Sequence, residues 1–376
     1  MTSNSIRLHL TNIAGLGAVQ LLKSLLPALE QNKSVHVVEV YLPDKGELSS
    51  YRSADQSIKV TIYRRQVPNA LSRLMECLYL GQRFSGEVPL LVMGDLPIRC
   101  TTRQTVFVQN SHLLRPSKRA WDRASLKLAL LRYVFRSNLK YAQTYIVQTT
   151  LMRDALIESY PSLQSRVQVV PQPVPAWLLN SGIRRTGRVA SASELLRLVY
   201  PAADYPHKNH KLLAAINNSD MTQWPIASLD LTLDEETNPA PDLPWLQCRG
   251  ILSSQEMLDA YREMDAMLFL STDESYGFPL VEAMFVGLPI ICPDLPYARV
   301  LCGDQAIYFD VGSTDSLKIA VNELHERLAG GYWPDWGEQL KAIPKDWETV
   351  AKTMLDIAAQ PPAGATNELN AREDKC

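Results

Sequence analysis

Short apolar runs alternate with longer helix-patterned segments along most of the chain, and this alternation limits the fold more than any other feature. Runs at 6–10, 35–41, 58–62, 89–93, 105–109, 144–148 and 167–170 have strand length and composition, with helical patterns at 18–31, 69–84, 117–141 and 150–159 among them. Strands separated by helices cannot pair as hairpins, so the sheet they form is parallel and covered on both faces. The pattern breaks at 171–194, where Pro171, Pro173 and Pro175 precede a Gly/Arg stretch and a Ser/Ala run. It then resumes, with strands at 195–200, 228–233, 247–251, 266–270, 289–292 and 306–309. Helices are expected at 209–217, 254–264, 280–286, 316–328 and 347–359. The expectation is an α/β chain of two doubly wound domains facing a cleft, 1–175 and 195–344, joined by a linker at 176–194. A helical segment at 345–360 and a disordered tail at 361–376 would follow.

A length of 376 residues suits two such domains. The net charge of −2 argues against a surface built throughout for nucleic acid, so any electrostatic function must be local. The six cysteines include no C-x-x-C pair, which points to neither a zinc site nor a disulfide framework. Scattered thiols fit a reducing compartment. With no signal-peptide-like start and no run of the ~20 apolar residues that cross a bilayer, the expectation is a cytoplasmic protein. Peripheral contact with the inner face of the cytoplasmic membrane stays open.

The densest chemistry lies after the expected strand at 266–270, in Ser271-Thr-Asp-Glu-Ser-Tyr-Gly-Phe-Pro-Leu-Val-Glu-Ala. Gly277 allows a tight turn and Pro279 suits the start of a helix. Amides near Gly277, Phe278 and Leu280 would then point outward and favour phosphates or polarised hydroxyls. Glu282 in the first turns can accept from a diol. Glu274, at the strand's carboxyl end, can orient sugar hydroxyls or steady a cationic transition state. Two glutamates eight apart are common, and only the strand and turn around them raise the pair above two solvated acids.

Three further segments carry candidates. In Pro206-His-Lys-Asn-His, Lys208 stands at a helix start where it can neutralise a diphosphate, or it is a solvated lysine with Asn209 as a helix cap. Gly15 and Gly17 follow the first strand and let a ligand approach the backbone. A dinucleotide fingerprint would need Gly or Ala where Gln20 stands, yet Glu39 near the end of the second strand suits a ribose-binding acid. An NAD-dependent oxidoreductase or sugar-nucleotide epimerase is therefore a second reading. Asn110 and His112 end the strand at 105–109, where a polar pair can reach a ligand, although a lone histidine is more often structural.

Residues 247–330 resemble the family-4 glycosyltransferases of the GT-B type. The matching stretches are Arg249-Gly-Ile-Leu-Ser, Asp265-Ala-Met-Leu-Phe-Leu-Ser, the Glu-x7-Glu segment, Glu282-Ala-Met-Phe-Val-Gly-Leu-Pro and Gly303-Asp-Gln-Ala-Ile-Tyr-Phe-Asp. The resemblance implies two Rossmann-like domains, the first on the acceptor side, with the closing helix from Asp346-Trp-Glu crossing back to it. It also implies a retaining, metal-independent transfer without a cofactor, in which the donor phosphate takes the acceptor's proton. Glu274 would face the donor sugar, Glu282 the nucleotide ribose, and Lys208 with Asn209 the pyrophosphate. Gly15 and Gly17 would approach the donor phosphates and acceptor, and Asn110 and His112 the reacting sugar. Two positions depart from the family pattern: Ala202 replaces an arginine, with His207 or Arg249 as candidate substitutes, and Val300 replaces a common glutamate. Val-Phe-Val-Gln-Asn together with Pro-His-Lys-Asn-His is similar to O-antigen and capsule enzymes. This implies a UDP-, GDP- or dTDP-linked donor and a glycan acceptor on a polyprenyl diphosphate. A non-catalytic sugar-nucleotide-binding scaffold is the third reading.

The stretch 115–140 has eight Lys/Arg residues and one acid, Asp122. On a helix, Ala124, Leu128, Leu131, Phe135 and Leu139 share a face with basic residues on either side. That pattern fits a helix lying on an anionic membrane, and equally a core-packed helix with a solvated basic rim.

Overall fold

The computed structural model describes residues 4–13, 15–64, 69–114, 123–187, 195–216 and 223–361. Of the expectations above, Ala14, the start of the basic stretch at 115–122, residues 188–194 and the tail from 362 lie outside these residues.

The chain divides into two compact units, Met1–Gln172 with Pro344–Cys376, and Pro173–Ile343. The strands of the first unit are β1 (Ser5–His9), β2 (His36–Pro43), β3 (Lys59–Tyr63), β4 (Leu90–Val92), β5 (Gln104–Phe107), β6 (Thr144–Val147) and β7 (Val167–Val169). They form one parallel sheet in the order β3-β2-β1-β4-β5-β6-β7. Helices α1 (Leu16–Glu30), α2 (Asn69–Leu78), α3 (Arg123–Asn138) and α4 (Thr150–Ser159) connect them. The central strands are buried almost throughout, as a sheet covered on both faces requires: β4 is Leu-Leu-Val and β6 Thr-Tyr-Ile-Val.

The second unit has β8 (Leu196–Tyr200), β9 (Ile226–Leu231), β10 (Leu246–Cys248), β11 (Ala266–Leu268), β12 (Ile290–Pro293) and β13 (Ile307–Phe309). Their parallel order is β10-β9-β8-β11-β12-β13. Its helices are α5 (Ala176–Leu179), α6 (Lys211–Ala214), α7 (Ser254–Glu263), α8 (Phe278–Val286), α9 (Pro296–Cys302), α10 (Thr314–Ala329) and α11 (Gly337–Leu340). Helix α7 starts on a capping box in which Ser253 Oγ accepts the Glu256 amide and the Glu256 carboxylate accepts the Ser253 amide. A final helix, α12 (Trp347–Ala359), packs on α1 and on β1, β4, β5 and β6 of the first unit. Asp346 caps it by accepting the Thr349 amide at 2.7 Å.

Three sequence expectations need correction. Residues 176–187, expected as a linker, belong to the second unit: Leu178 and Ile183 are buried in its core, and the Arg185 amide donates to Val286 O at 2.7 Å. Their proline and glycine signals mark turns, while the apolar residues between them are anchored. The helix expected at 209–217 starts later, as α6, because Asn209 adopts a left-handed conformation (φ 57°), and residue 217 lies outside the described residues. Helix α9 was not expected, since a helix of only seven residues starting at Pro296 leaves too little periodicity to read.

Candidate functional site

In a doubly wound sheet, ligands bind beyond the carboxyl ends of the strands, where the strand order reverses. In the second unit that point lies between β8 and β11. The loops leaving these two strands carry Lys208 and Glu274, and Lys208 Nζ lies 2.5 Å from Glu274 Oε1, with both side chains largely buried. The ammonium also stands 5.7 Å from the centre of the Phe269 ring.

The two loops are tied through one carbonyl. His207 O accepts from the Thr272 amide at 2.7 Å, from Thr272 Oγ1 at 3.1 Å and from Ser271 Oγ at 3.2 Å. Asn209, buried and left-handed, ends the 3-10 turn Pro206–Lys208 and does not cap the helix that follows. Asparagine tolerates that conformation better than most residues. His207 stacks on Tyr205 with ring centres 5.7 Å apart. Ala202 has no charge to offer, and its amide is held by Thr232 Oγ1 at 2.9 Å.

Helix α8 begins beside Glu274. Gly277 precedes it with φ 86°, and a Cβ there would meet Leu301 at 3.2 Å, so the turn requires glycine. The expected free amide of Leu280 is occupied, donating to Gly277 O at 3.0 Å. Pro279 has no N–H, and among the described residues the amides of Gly277 and Phe278 have no backbone acceptor. Glu282, one turn on, accepts the Tyr261 hydroxyl on Oε2 at 2.6 Å. Its Oε1 has no hydrogen bond among the described residues. Burial pushes this carboxyl up to about 7, against the lowering effect of the Tyr261 hydrogen bond.

Three buried tyrosines therefore hold the site, and none was singled out from sequence. Tyr200 OH donates to Lys208 O at 2.8 Å, Tyr297 OH to Ser271 O at 2.5 Å and Tyr261 OH to Glu282. The available signal was chemical, because a tyrosine in an apolar run buries a hydroxyl that needs an acceptor. Burial raises the pKa of all three, so they remain neutral donors.

Arg249 is not brought to this group. It leaves β10, and its Nε lies 3.6 Å from Asp230 Oδ2. Val300, on α9, is exposed. Among the described residues, no group of three or more His, Cys, Asp or Glu side chains is placed to hold a metal ion.

In the first unit the strand order reverses between β1 and β4. Gly15 starts α1 with an extended backbone (φ −75°) and Gly17 lies in its first turn. A Cβ added at either would meet nothing within 4 Å among the described residues. Neither glycine is demanded by the chain's own packing, which leaves an open approach to this helix end. Asn110 follows β5, and its side chain accepts the His112 amide at 3.0 Å, closing a one-turn 3-10 helix. His112 is exposed, with its carbonyl held by Arg132 Nη1 at 3.1 Å. Glu39 does not end its strand: it sits within β2 and accepts from Tyr41, Thr61 and Lys59 at 2.7, 2.9 and 2.8 Å. Its carboxylate is occupied, which removes the ribose-binding acid that the dinucleotide reading needed.

The apolar stripe expected on α3 faces the core. Phe135 and Leu139 are buried, and Leu131 packs against the same cluster. The exposed apolar residues are others, Leu126, Leu130 and Tyr133, which lie about one helical turn apart with exposed Lys127, Arg136 and Lys140 nearby. No described helix is long and apolar enough to cross a membrane.

No protein-family model matches the chain. Among curated proteins it is similar to the serotype-specific mannosyltransferase WbdA of Escherichia coli, 26% identical over 136 residues, which is 34% of this chain and 16% of that protein. The chain thus matches only about one-sixth of WbdA's length. It is also similar to the O-antigen chain mannosyltransferase RfbU of Salmonella typhimurium, 18% identical over 255 residues, 63% of this chain and 67% of that one. Among solved structures it aligns with WaaG, a glycosyltransferase involved in lipopolysaccharide biosynthesis, at a TM-score of 0.61 and 12% identity, covering 95% of this chain and 100% of that one. Anabaena HepE in complex with UDP and glucose gives 0.61 at 13% identity, covering 96% and 100%. The fold is that of the GT-B glycosyltransferases.

Proposed function

We propose that the chain is a glycosyltransferase that moves a hexose from a nucleotide sugar to a growing glycan of a bacterial surface polysaccharide. The observation that carries this reading is the Lys208–Glu274 pair at the reversal point of the second sheet, beside the glycine-started helix α8 and Glu282. A nucleoside diphosphate sugar has a diphosphate for Lys208 and the Gly277 and Phe278 amides, a ribose diol for Glu282 Oε1, and a sugar for Glu274. In the reaction the acceptor hydroxyl oxygen bonds to the anomeric carbon as the bond to the diphosphate breaks. The hydroxyl proton passes to the leaving phosphate. Glu274 orients the sugar and stabilises the cationic character that develops in the ring. Transfer proceeds with retention and without a metal. Asn110 and His112 orient the acceptor side, and the open approach at Gly15 and Gly17 admits substrate.

The names of WbdA and RfbU make mannose the first sugar to test, so GDP-mannose heads a panel with UDP- and dTDP-hexoses. The panel is offered with a polyprenyl-diphosphate-linked glycan acceptor, and product anomer and chelator sensitivity are read alongside. Transfer by wild type that is lost in Glu274→Ala supports the reading. Equal, negligible turnover in both, with nucleotide binding kept, sinks it in favour of the scaffold.

The exposed Leu126–Leu130–Tyr133 stripe and its basic neighbours favour a second element, contact with an anionic membrane that carries the lipid-linked acceptor.

A further inference from the structure

The reversal point of the first sheet is held from one side by a single helix. Arg73 and Glu76 stand three apart on α2, hence on one face. Glu76 is fully buried, and its Oε1 meets three groups from the segment that ends β1: His9 Nε2 at 2.8 Å, Thr11 Oγ1 at 2.5 Å and Asn12 Nδ2 at 3.3 Å. In the sequence one residue separates the end of that segment, at 13, from Gly15. Arg73 Nη2 donates to Gly94 O at 2.6 Å, in the loop that ends β4, and lies 3.6 Å from Asp95 Oδ2. Asp95 in turn accepts the Gln109 amide on Oδ1 at 2.8 Å, next to Asn110 at the end of β5.

The three loops thus belong to adjacent strands: the first meets Glu76, the second meets Arg73, and the third is joined to the second through Asp95. The arrangement is tight. A Cβ at Gly94 would stand 2.7 Å from Asn12 Cβ, so the first two loops touch backbone to side chain. Asp95 has φ 66°, a conformation that costs a non-glycine residue free energy and persists only where its surroundings enforce it. An arginine donor to the preceding carbonyl and a backbone donor to its own carboxylate supply that enforcement. A buried glutamate serving three donors is also more than packing needs, since an apolar residue would fill the space without desolvating a carboxylate.

We infer that Arg73 and Glu76 are positioning residues that lock the strand-end loops 10–13, 93–96 and 108–113 into one unit, and through them set Gly15 and Asn110 for the reaction. The functional half rests on the glycosyltransferase reading, while the mechanical half stands on the geometry alone.

The test reads both halves in Arg73→Ala, Arg73→Lys and Glu76→Gln. Amide hydrogen exchange of the three loops is expected to speed up about tenfold in Arg73→Ala, with the strands of the sheet unchanged. Transfer kcat should fall about a hundredfold, as for misplaced reacting groups, while nucleotide affinity falls far less, because Lys208 and the start of α8 are untouched. Arg73→Lys, which keeps a donor for Gly94 O, should recover much of both. Glu76→Gln keeps the side chain's shape for the folding control and should loosen mainly 10–13. Unchanged exchange in the loops of Arg73→Ala overturns the inference, as does faster exchange with unaltered kcat. If wild type transfers no sugar from any donor, the glycosyltransferase reading fails instead, and the exchange arm decides the locking by itself.

Discussion

Lys208 Nζ lies 2.5 Å from Glu274 Oε1, so the cation proposed for the diphosphate is paired with the carboxylate proposed for the sugar. Both side chains are largely buried, so neither can be left alone cheaply. Under the proposed function a donor exchanges one partner for another: its phosphate takes Lys208, and Glu274 turns to the sugar. Glu274→Gln removes the competing anion. It should bind the nucleoside diphosphate about tenfold more tightly, a gain of about 1.4 kcal/mol, while transfer drops about a hundredfold or more for want of the charge. Lys208→Ala should weaken nucleotide binding. Calorimetric titration beside a transfer assay checks both, and equal nucleotide affinity in Glu274→Gln and wild type counts against the exchange.

Glu282 provides a pH test. Its carboxyl is raised from an ordinary value of 4.5 to about 7 by burial. Between those two values the folded chain keeps a proton that the unfolded chain has lost, so this group lowers stability as pH rises through the window. Because the side chain is half-buried, the effect is discounted, and Glu282→Gln should be more stable than wild type by about 1–2 kcal/mol above pH 7 and equal to it below pH 4.5. Nucleotide binding should respond in the opposite sense. A ribose diol donates to the ionised carboxylate, so wild-type affinity should tighten from pH 6 to pH 8 and the Gln variant should stay flat. Parallel curves for the two proteins would remove the diol from Glu282.

The strands were legible because each is a short β-rich run between turn residues, and a parallel sheet makes such runs nearly all apolar. Lys208, Glu274, Gly277 and Glu282 were legible because a strand, a turn and a helix start are local patterns; the structure pairs Lys208 with Glu274 at adjacent strand ends, and Gly277 starts the helix that carries Glu282. What escaped was non-local. Nothing beside Tyr261 in the sequence shows that its hydroxyl meets Glu282 across 21 positions, or that Tyr297 reaches back to Ser271. Arg249 misled for the same reason, since its place at a strand end was visible while Asp230 on the neighbouring strand was not. On α3 the period was read correctly, but periodicity cannot tell which apolar stripe the core takes, and it took Leu131 and Phe135, with Leu139 just beyond the helix end.

The stripe the core left exposed makes its own prediction. Leu126 and Tyr133 are 73% and 67% exposed, so replacing them with aspartate should leave the melting temperature near that of wild type. Burying a leucine in a membrane interface is worth about 1.5–3 kcal/mol, so Leu126→Asp should weaken binding to vesicles containing phosphatidylglycerol at least about tenfold. Added salt should weaken wild-type binding through Lys127, Arg136 and Lys140. Co-sedimentation of wild type and variant with anionic and neutral vesicles measures both effects, and equal pelleting of the two proteins would rule the stripe out as the contact.

Two glycines should separate function from folding. At Gly17, in the first turn of α1, an added Cβ meets nothing within 4 Å and no left-handed backbone is required. Gly17→Ala should therefore stabilise the protein by up to about 1 kcal/mol, because alanine loses less chain entropy in a helix. At Gly287, with φ 91°, a Cβ would stand 2.3 Å from Arg185 O, and that atom is backbone that cannot swing aside. Gly287→Ala should cost several kcal/mol, about 2–4 by the scale of backbone strain and overpacking. If the space over Gly17 is reserved for substrate, the more stable variant should be the poorer enzyme. Thermal melts should rank Gly17→Ala at or above wild type and Gly287→Ala far below, while transfer by Gly17→Ala falls about tenfold or more as its methyl occupies the approach. A Gly17→Ala protein that is both more stable and fully active would show that the open helix end is not part of the site.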